Sequence, residues 1–403
     1  MRDSIVERPA LPRRFAAAPA VEGCRGENAR VTVDWTGMDR RNALLALTGL
    51  CLAPLLAAVS PTAHSLPASR QAGDPSQAPS SETMPVPEPA DAKQRGVALG
   101  LFAEDTSFSY APLLNEIAAL GATHVALIVP WYQTDGASTA LKLHTRLSPT
   151  LEAIADAIRL ARRAGLEVTL FPIVRLSEPR SPEEWRGTLA PAHRDAWFAS
   201  YGELLADLAS LGALTGASRL VVGSELSSLD GDLPHWRPLL QRIRALFSGT
   251  LMYSANWDHY QQVRIYDLVD EIGVVAYFKL REKDGPSDVA ALTARWRSLR
   301  REIEFNLASY AKPFVFSELG YRSRTGATAA PWDEVKGGAP DVDEQARAFQ
   351  AFRQAWTVRG QSPSRLAGLY LWNWYGYGGP ESTGYTPRGK PAVDVVRQIL
   401  DEM

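Results

Sequence analysis

Cysteine is nearly absent. Two residues, Cys24 and Cys51, occur in 403, and both precede the region whose pattern looks folded. A disulfide framework, a cysteine nucleophile and a thiolate zinc site are thereby excluded from the main domain. Charge of either sign is equally lacking in excess: 43 basic against 45 acidic side chains leave a formal net charge of −2. Such a chain has no electrostatic footprint for nucleic acid, and none is expected as a partner. No glycine-rich phosphate fingerprint follows the first apolar run of the main domain, which counts against a nucleotide-binding sheet. His124 and His144 lie outside any His/Asp/Glu spacing that would hold a metal, so neither metal nor cofactor is expected.

The first ninety residues read as delivery. Asp39-Arg40-Arg41-Asn42 precedes an uncharged apolar run, Ala43 to Val59, interrupted by Pro54. A charged start, a short apolar core and small residues after it describe an export signal better than a membrane span, which needs about 20 apolar residues. No stable span is therefore expected in the mature form. Residues 1–65 are read as N-terminal extension and signal, with cleavage after Ala63-His64-Ser65 and Met38 as a candidate start. The twin-arginine and general secretory routes both stay open, and the expected location is periplasmic or extracellular. Residues 66–94, rich in Pro, Ser and Ala without hydrophobic periodicity, are expected to form a disordered linker.

From Arg95 onward, apolar runs of strand length alternate with amphipathic stretches. The runs are Gly96–Phe102, His124–Pro130, Glu167–Val174, Arg219–Gly223, Thr250–Ala255, Glu271–Phe278, Pro313–Phe316 and Ala367–Trp372. Helix-like segments separate them, among them Pro149–Ala164, Asp195–Leu211 and Ala290–Ala308. Alternation of this kind over residues 95–403 predicts a single (β/α)8 TIM barrel, with a doubly wound open sheet as the structural rival.

Two of the runs lead into a glutamate: Arg219 to Glu225 on the fourth strand and Pro313 to Glu318 on the seventh. A carboxylate at the C-terminal end of a barrel strand faces the active-site side of that fold. Either one alone reads equally well as a structural carboxylate beside an Arg or Lys. Together, on opposite walls of one barrel, they suit glycosidic bond chemistry, with Glu225 as acid/base and Glu318 as nucleophile. On this scheme Glu225 needs a raised pKa, and Tyr277 hydrogen-bonds Glu318 to keep it ionised and oriented. Aromatic residues crowd the strand ends: Trp131, Tyr132, Trp257, Trp372 and Trp374. Their faces can stack on sugar rings, while Asn256 and Asn373 reach hydroxyls.

The strings themselves are similar to a known group. The segments Val129–Asp135, Trp185–Gly187, Val222–Leu226, Tyr253–Asp258, Ile272–Phe278, Phe316–Ser323, Leu371–Tyr375 and Gly389–Ala392 resemble glycoside hydrolase clan A, and within it family 113. The characterised members of that family are endo-β-1,4-mannanases. The resemblance implies a retaining double displacement with Glu225 and Glu318 in the roles just given, Tyr277 beside the nucleophile, Trp185 in the site and a strand-eight tryptophan under the sugar at the cleavage point. Two positions depart from the pattern. Ser224 stands where the clan commonly has Asn, and the third strand ends on Arg175 without the Lys and His of mannanase-like members. The expected activity is thus a retaining endo-β-glycosidase, acting as a monomer on a polysaccharide or oligosaccharide. Mannan and a bacterial exopolysaccharide, anionic or acetylated, are the alternatives for substrate. A non-catalytic glycan-binding barrel and a transglycosylase are the rival readings.

Overall fold

A computed structural model describes residues 93–403 apart from 106, 284, 286, 335–336 and 359–363. The expected signal, nearly all of the expected linker and both cysteines lie outside the described residues. Eight parallel strands close into a barrel in chain order: β1 (Gln94–Gly100), β2 (His124–Gln133), β3 (Glu167–Leu176), β4 (Arg219–Ser224), β5 (Thr250–Ala255), β6 (Glu271–Val275), β7 (Phe314–Leu319) and β8 (Leu366–Leu371). Around them run α1 (Ala111–Ala119), α2 (Leu151–Arg163), α3 (Arg194–Thr215), α4 (Leu233–Leu246), α5 (Val289–Asn306), α6 (Val342–Trp356) and α7 (Ala392–Glu402). The expected (β/α)8 TIM barrel is the observed fold. Strands covered on one face by helices and on the other by the barrel interior read as continuous apolar runs, which is why they could be picked out by eye.

The alternation is incomplete at one place. Between β5 and β6 the described chain makes only a 3-10 turn at Ile265–Leu268. The linker boundary also moves. Gln94 was expected in the linker, yet it is buried and opens β1. Its side-chain amide donates to Glu271 at 2.5 Å and its carbonyl oxygen accepts from the Tyr370 hydroxyl at 2.9 Å. This polar cluster, joined by Thr169 through Tyr370 and by Arg219 beside Glu271, fills the barrel near the N-terminal ends of the strands. Above it the interior is apolar: Ala98, Ala126, Ile128, Phe171, Ile173, Val221, Met252, Val275 and Val315, closed by Tyr277 and Trp372.

Irregularities lie where the expected site lies. The β4–β5 register shifts between Val221 and Gly223, the β6–β7 register between Val274 and Val275, the latter pairing with Glu318. Bulges re-aim side chains, and these two precede or face the two strand-end glutamates. A Cβ at Gly223 would meet the Tyr253 ring at 2.9 Å, so only glycine lets the bulged strand lie there. Gly320 serves the other wall, since a Cβ there would meet the Trp372 carbonyl oxygen at 2.6 Å and hold β8 away from β7. The long connection Arg324–Val342 is tied down at its base. The buried Glu344 carboxylate accepts from the backbone N–H groups of Gly326 and Thr328, both at 2.9 Å, and from the Thr328 hydroxyl at 2.6 Å.

Candidate active site

The C-terminal ends of the strands open into a cleft of about 980 Å³, lined by Glu225 and Glu318 among others. Glu318 sits within β7, and Glu225 is the first residue beyond β4. Glu225 is the non-glycine residue with positive φ among the described residues, at 53°. A backbone held in that sparsely populated region costs on the order of 1–3 kcal/mol and is characteristic of functional sites. The bulge ahead of it and a hydrogen bond from its own N–H to the Ser254 carbonyl, 2.7 Å, hold it there.

Each carboxylate has its own partner. Glu225 Oε2 accepts from Arg186 Nε at 2.9 Å and from a terminal nitrogen of the same guanidinium. Glu318 Oε2 accepts from the Tyr277 hydroxyl at 3.0 Å, while Glu318 Oε1 is buried with no hydrogen-bond partner among the described residues. Burial opposes the Arg186 charge, but Glu225 and Glu318 more than offset it and hold its pKa above the usual arginine value. Tyr277 is pushed well above the ordinary phenol value by burial and by the Glu318 charge, so it stays a donor.

The charge distribution differs from the expected one. Burial first, and the nearby Glu225 charge second, push Glu318 up to about 8, against the smaller opposite pull of Arg186 and the Tyr277 bond. Tyr277 therefore orients Glu318 without keeping it ionised. Burial and the Glu225 charge thus favour the pair's proton on Glu318.

Most of the other expected residues meet in the same cleft: Arg175, Trp185, Asn256, Trp257, Trp372 and Asn373. Asn256 donates to Asp258 at 2.8 Å, and Trp185 lies under the Arg186 guanidinium, 5.7 Å from ring centroid to carbon. Tyr132 lines an adjoining cavity instead. Three expected residues do not line this cleft. Trp131 is buried in the barrel wall against Tyr201, ring centroids 5.5 Å apart, because a β2 side chain at that position turns outward toward α3. Ser224 is buried outside the cleft lining, its hydroxyl unpartnered among the described residues. Trp374 turns its indole N–H away to Glu116 on α1, at 2.8 Å.

Sequence reasoning also missed three participants. Arg186 sat unused inside the Trp185–Gly187 segment, and only the fold brings it beside Glu225, 39 residues further on. Trp332, 41% exposed, stacks on Trp257 at 4.8 Å from the Arg324–Val342 connection. Tyr385 packs against Tyr277 at 5.8 Å. Neither of these two follows a strand directly, so no pattern marked them.

A barrel carrying two buried carboxylates, an arginine paired to one of them and an aromatic cleft is the arrangement of a glycoside hydrolase, and the family match agrees. Residues 100–384 match the model of Glycoside Hydrolase Family 113, and the chain belongs to that family. Its fold is similar to that of the GH113 β-mannanase AaManA from Alicyclobacillus acidocaldarius, with 27% identity, a TM-score of 0.68 and coverage of 77% of this chain and 97% of the other. A second GH113 β-1,4-mannanase gives 22% identity and a TM-score of 0.67, covering 77% of this chain and all of its own. A β-glucuronidase from Faecalibacterium prausnitzii shares the barrel alone, with 15% identity, a TM-score of 0.53 and coverage of 77% of this chain and 49% of the other. A search of curated protein sequences gave no match. Among the described residues no cluster of metal-binding side chains occurs, and no helix is long and apolar enough to cross a membrane.

Proposed function

We propose that the protein is an exported, retaining endo-β-glycosidase whose nucleophile is Glu318 and whose acid/base is Glu225. The observation that carries this reading is the pair itself: two buried carboxylates lining one cleft, close enough that the charge of Glu225 raises the pKa of Glu318. Arg186 occupies only Oε2 of Glu225, so Oε1 can carry the proton toward a glycosidic oxygen. The resting proton on Glu318 must first pass to Glu225. Glu318, now ionised, attacks the anomeric carbon as the C–O bond breaks and the leaving oxygen takes the Glu225 proton. Water then attacks the same carbon, Glu225 takes its proton back, and the Glu318 ester breaks. A sugar hydroxyl in place of water would make the same site a transglycosylase.

β-1,4-Mannan is the first substrate to try, since two GH113 structures of similar fold are mannanases. The cleft of about 980 Å³ and the stacked Trp257–Trp332 pair suit an internal cut in a chain. One observation favours a second reading, a glycan-binding barrel without turnover: the Arg186–Glu225 ion pair and the protonated Glu318 invert the charges that the first step needs. Glu318→Gln separates the two. An enzyme loses roughly a thousandfold or more of its rate on β-linked polysaccharides when the nucleophile is removed. A binding barrel shows no turnover to lose.

A further inference from the structure

Arg175, the last residue but one of β3, has an exposed side chain with no ion-pair or hydrogen-bond partner among the described residues. It lines both the catalytic cleft and a neighbouring cavity of about 370 Å³, and Phe102 is the other residue shared by the two. The smaller cavity is completed by Tyr132, His144, Leu147, Leu176 and Ser177, and no carboxylate faces it. His144 Nδ1 accepts from the backbone N–H groups of Arg146 and Leu147, both at 3.2 Å, which leaves the hydrogen of the neutral ring on Nε2. Its ring lies 5.3 Å from that of Tyr132. A cation, an imidazole N–H and two hydroxyl groups thus surround one sugar-sized space beside an aromatic wall.

Glu183, Asp258, Asp333 and Glu334 line the catalytic cleft, and none of them lines the smaller cavity.

We infer that the cavity at Arg175 is a subsite for an acidic sugar, and that the substrate is a β-linked polysaccharide bearing C6 carboxylates on residues away from the scissile bond. The inference rests on the glycosidase reading for its chemistry, and on Arg175 and its cavity for its specificity. Neutral mannan offers this cation nothing to pair with, whereas a uronate carboxylate pairs with it and receives the His144 N–H.

The test uses the full chain and two probes, glucomannan and the same polymer partially oxidised at C6 to carboxylates. The wild type is expected to favour the oxidised polymer by about fivefold in kcat/KM, the worth of a partly exposed ion pair. That ratio should shrink with added salt. Arg175→Gln should bring it to unity, and Arg175→Lys should restore part of it. A ratio unchanged in Arg175→Gln overturns the inference and leaves the glycosidase reading intact. Where neither polymer is cut, retention of the two polymers by the full chain decides: Arg175-dependent retention of the oxidised one supports the acidic subsite while the glycosidase reading fails. Equal or absent retention overturns the subsite as well.

Discussion

Glu318→Gln should abolish turnover and at the same time stabilise the fold, by an amount that grows with pH. The wild-type carboxyl is buried, one of its oxygens has no partner among the described residues, and its pKa rises from 4.5 to about 8. Between those values the native state binds a proton that the unfolded chain does not. The stability due to this group is therefore fully present below about 4.5 and is lost as pH rises toward 8. Each pKa unit corresponds to about 1.4 kcal/mol, so the whole window carries at most ~5 kcal/mol, trimmed to a few by relaxation and water entry. Glutamine keeps the acceptor for the Tyr277 hydroxyl and has no proton to lose. Thermal melts of wild type and variant from pH 5 to 9 should show little difference at pH 5, and the variant ahead by roughly 3–6 °C at pH 9. A constant difference across that range would refute the claim that Glu318 is the group forced to ionise at a cost.

The same coupling sets the pH profile. Activity needs one proton on the pair, so kcat/KM should fall as pH rises through about 8. Removing the charge at Glu225 with Glu225→Gln should lower the Glu318 pKa, and Arg186→Gln should raise it, both read by NMR titration of labelled glutamate; shifts in the reverse directions would contradict the assigned causes. Glu225→Ala should spare aryl glycosides with good leaving groups, by roughly a hundredfold relative to polysaccharide, because they need little protonation; equal losses would contradict its role as acid. Trp332→Ala removes an exposed aromatic face stacked on Trp257 and should raise KM for polymers by about three- to tenfold, with activated aryl monosaccharides unaffected. An equal effect on both substrates would place Trp332 elsewhere than at a distal subsite.

The barrel was legible because parallel strands buried on both faces leave uninterrupted apolar runs, and the two glutamates were legible because they sit at strand ends. Helix starts were readable too: Thr150 accepts from the Ala153 N–H and Asp288 from the Ala291 N–H, the side-chain caps that mark α2 and α5. Side-chain direction was not readable. Trp131 and Trp374 lie beside strand ends like the aromatics that do reach the cleft, yet Trp131 packs on Tyr201 and Trp374 bonds Glu116. Trp131 follows the ordinary alternation of β2, which turns it outward between the inward-facing neighbours, and Trp374 lies beyond the end of β8, where alternation no longer decides. Loop residues were hidden for another reason. Arg186 and Trp332 reach the site from connections whose paths depend on tertiary anchors such as Glu344. The inverted charge of the carboxylate pair follows from burial and from Arg186 together, and neither is visible before the chain is folded.

The central claim is a double displacement through Glu318, and proton NMR of the first oligosaccharides released from β-1,4-glucomannan tests it most directly. New reducing ends should appear first as the β anomer and equilibrate later, and Glu318→Gln should release none on the same timescale. The α anomer appearing first, or oligosaccharides released by Glu318→Gln at the wild-type rate, would contradict it.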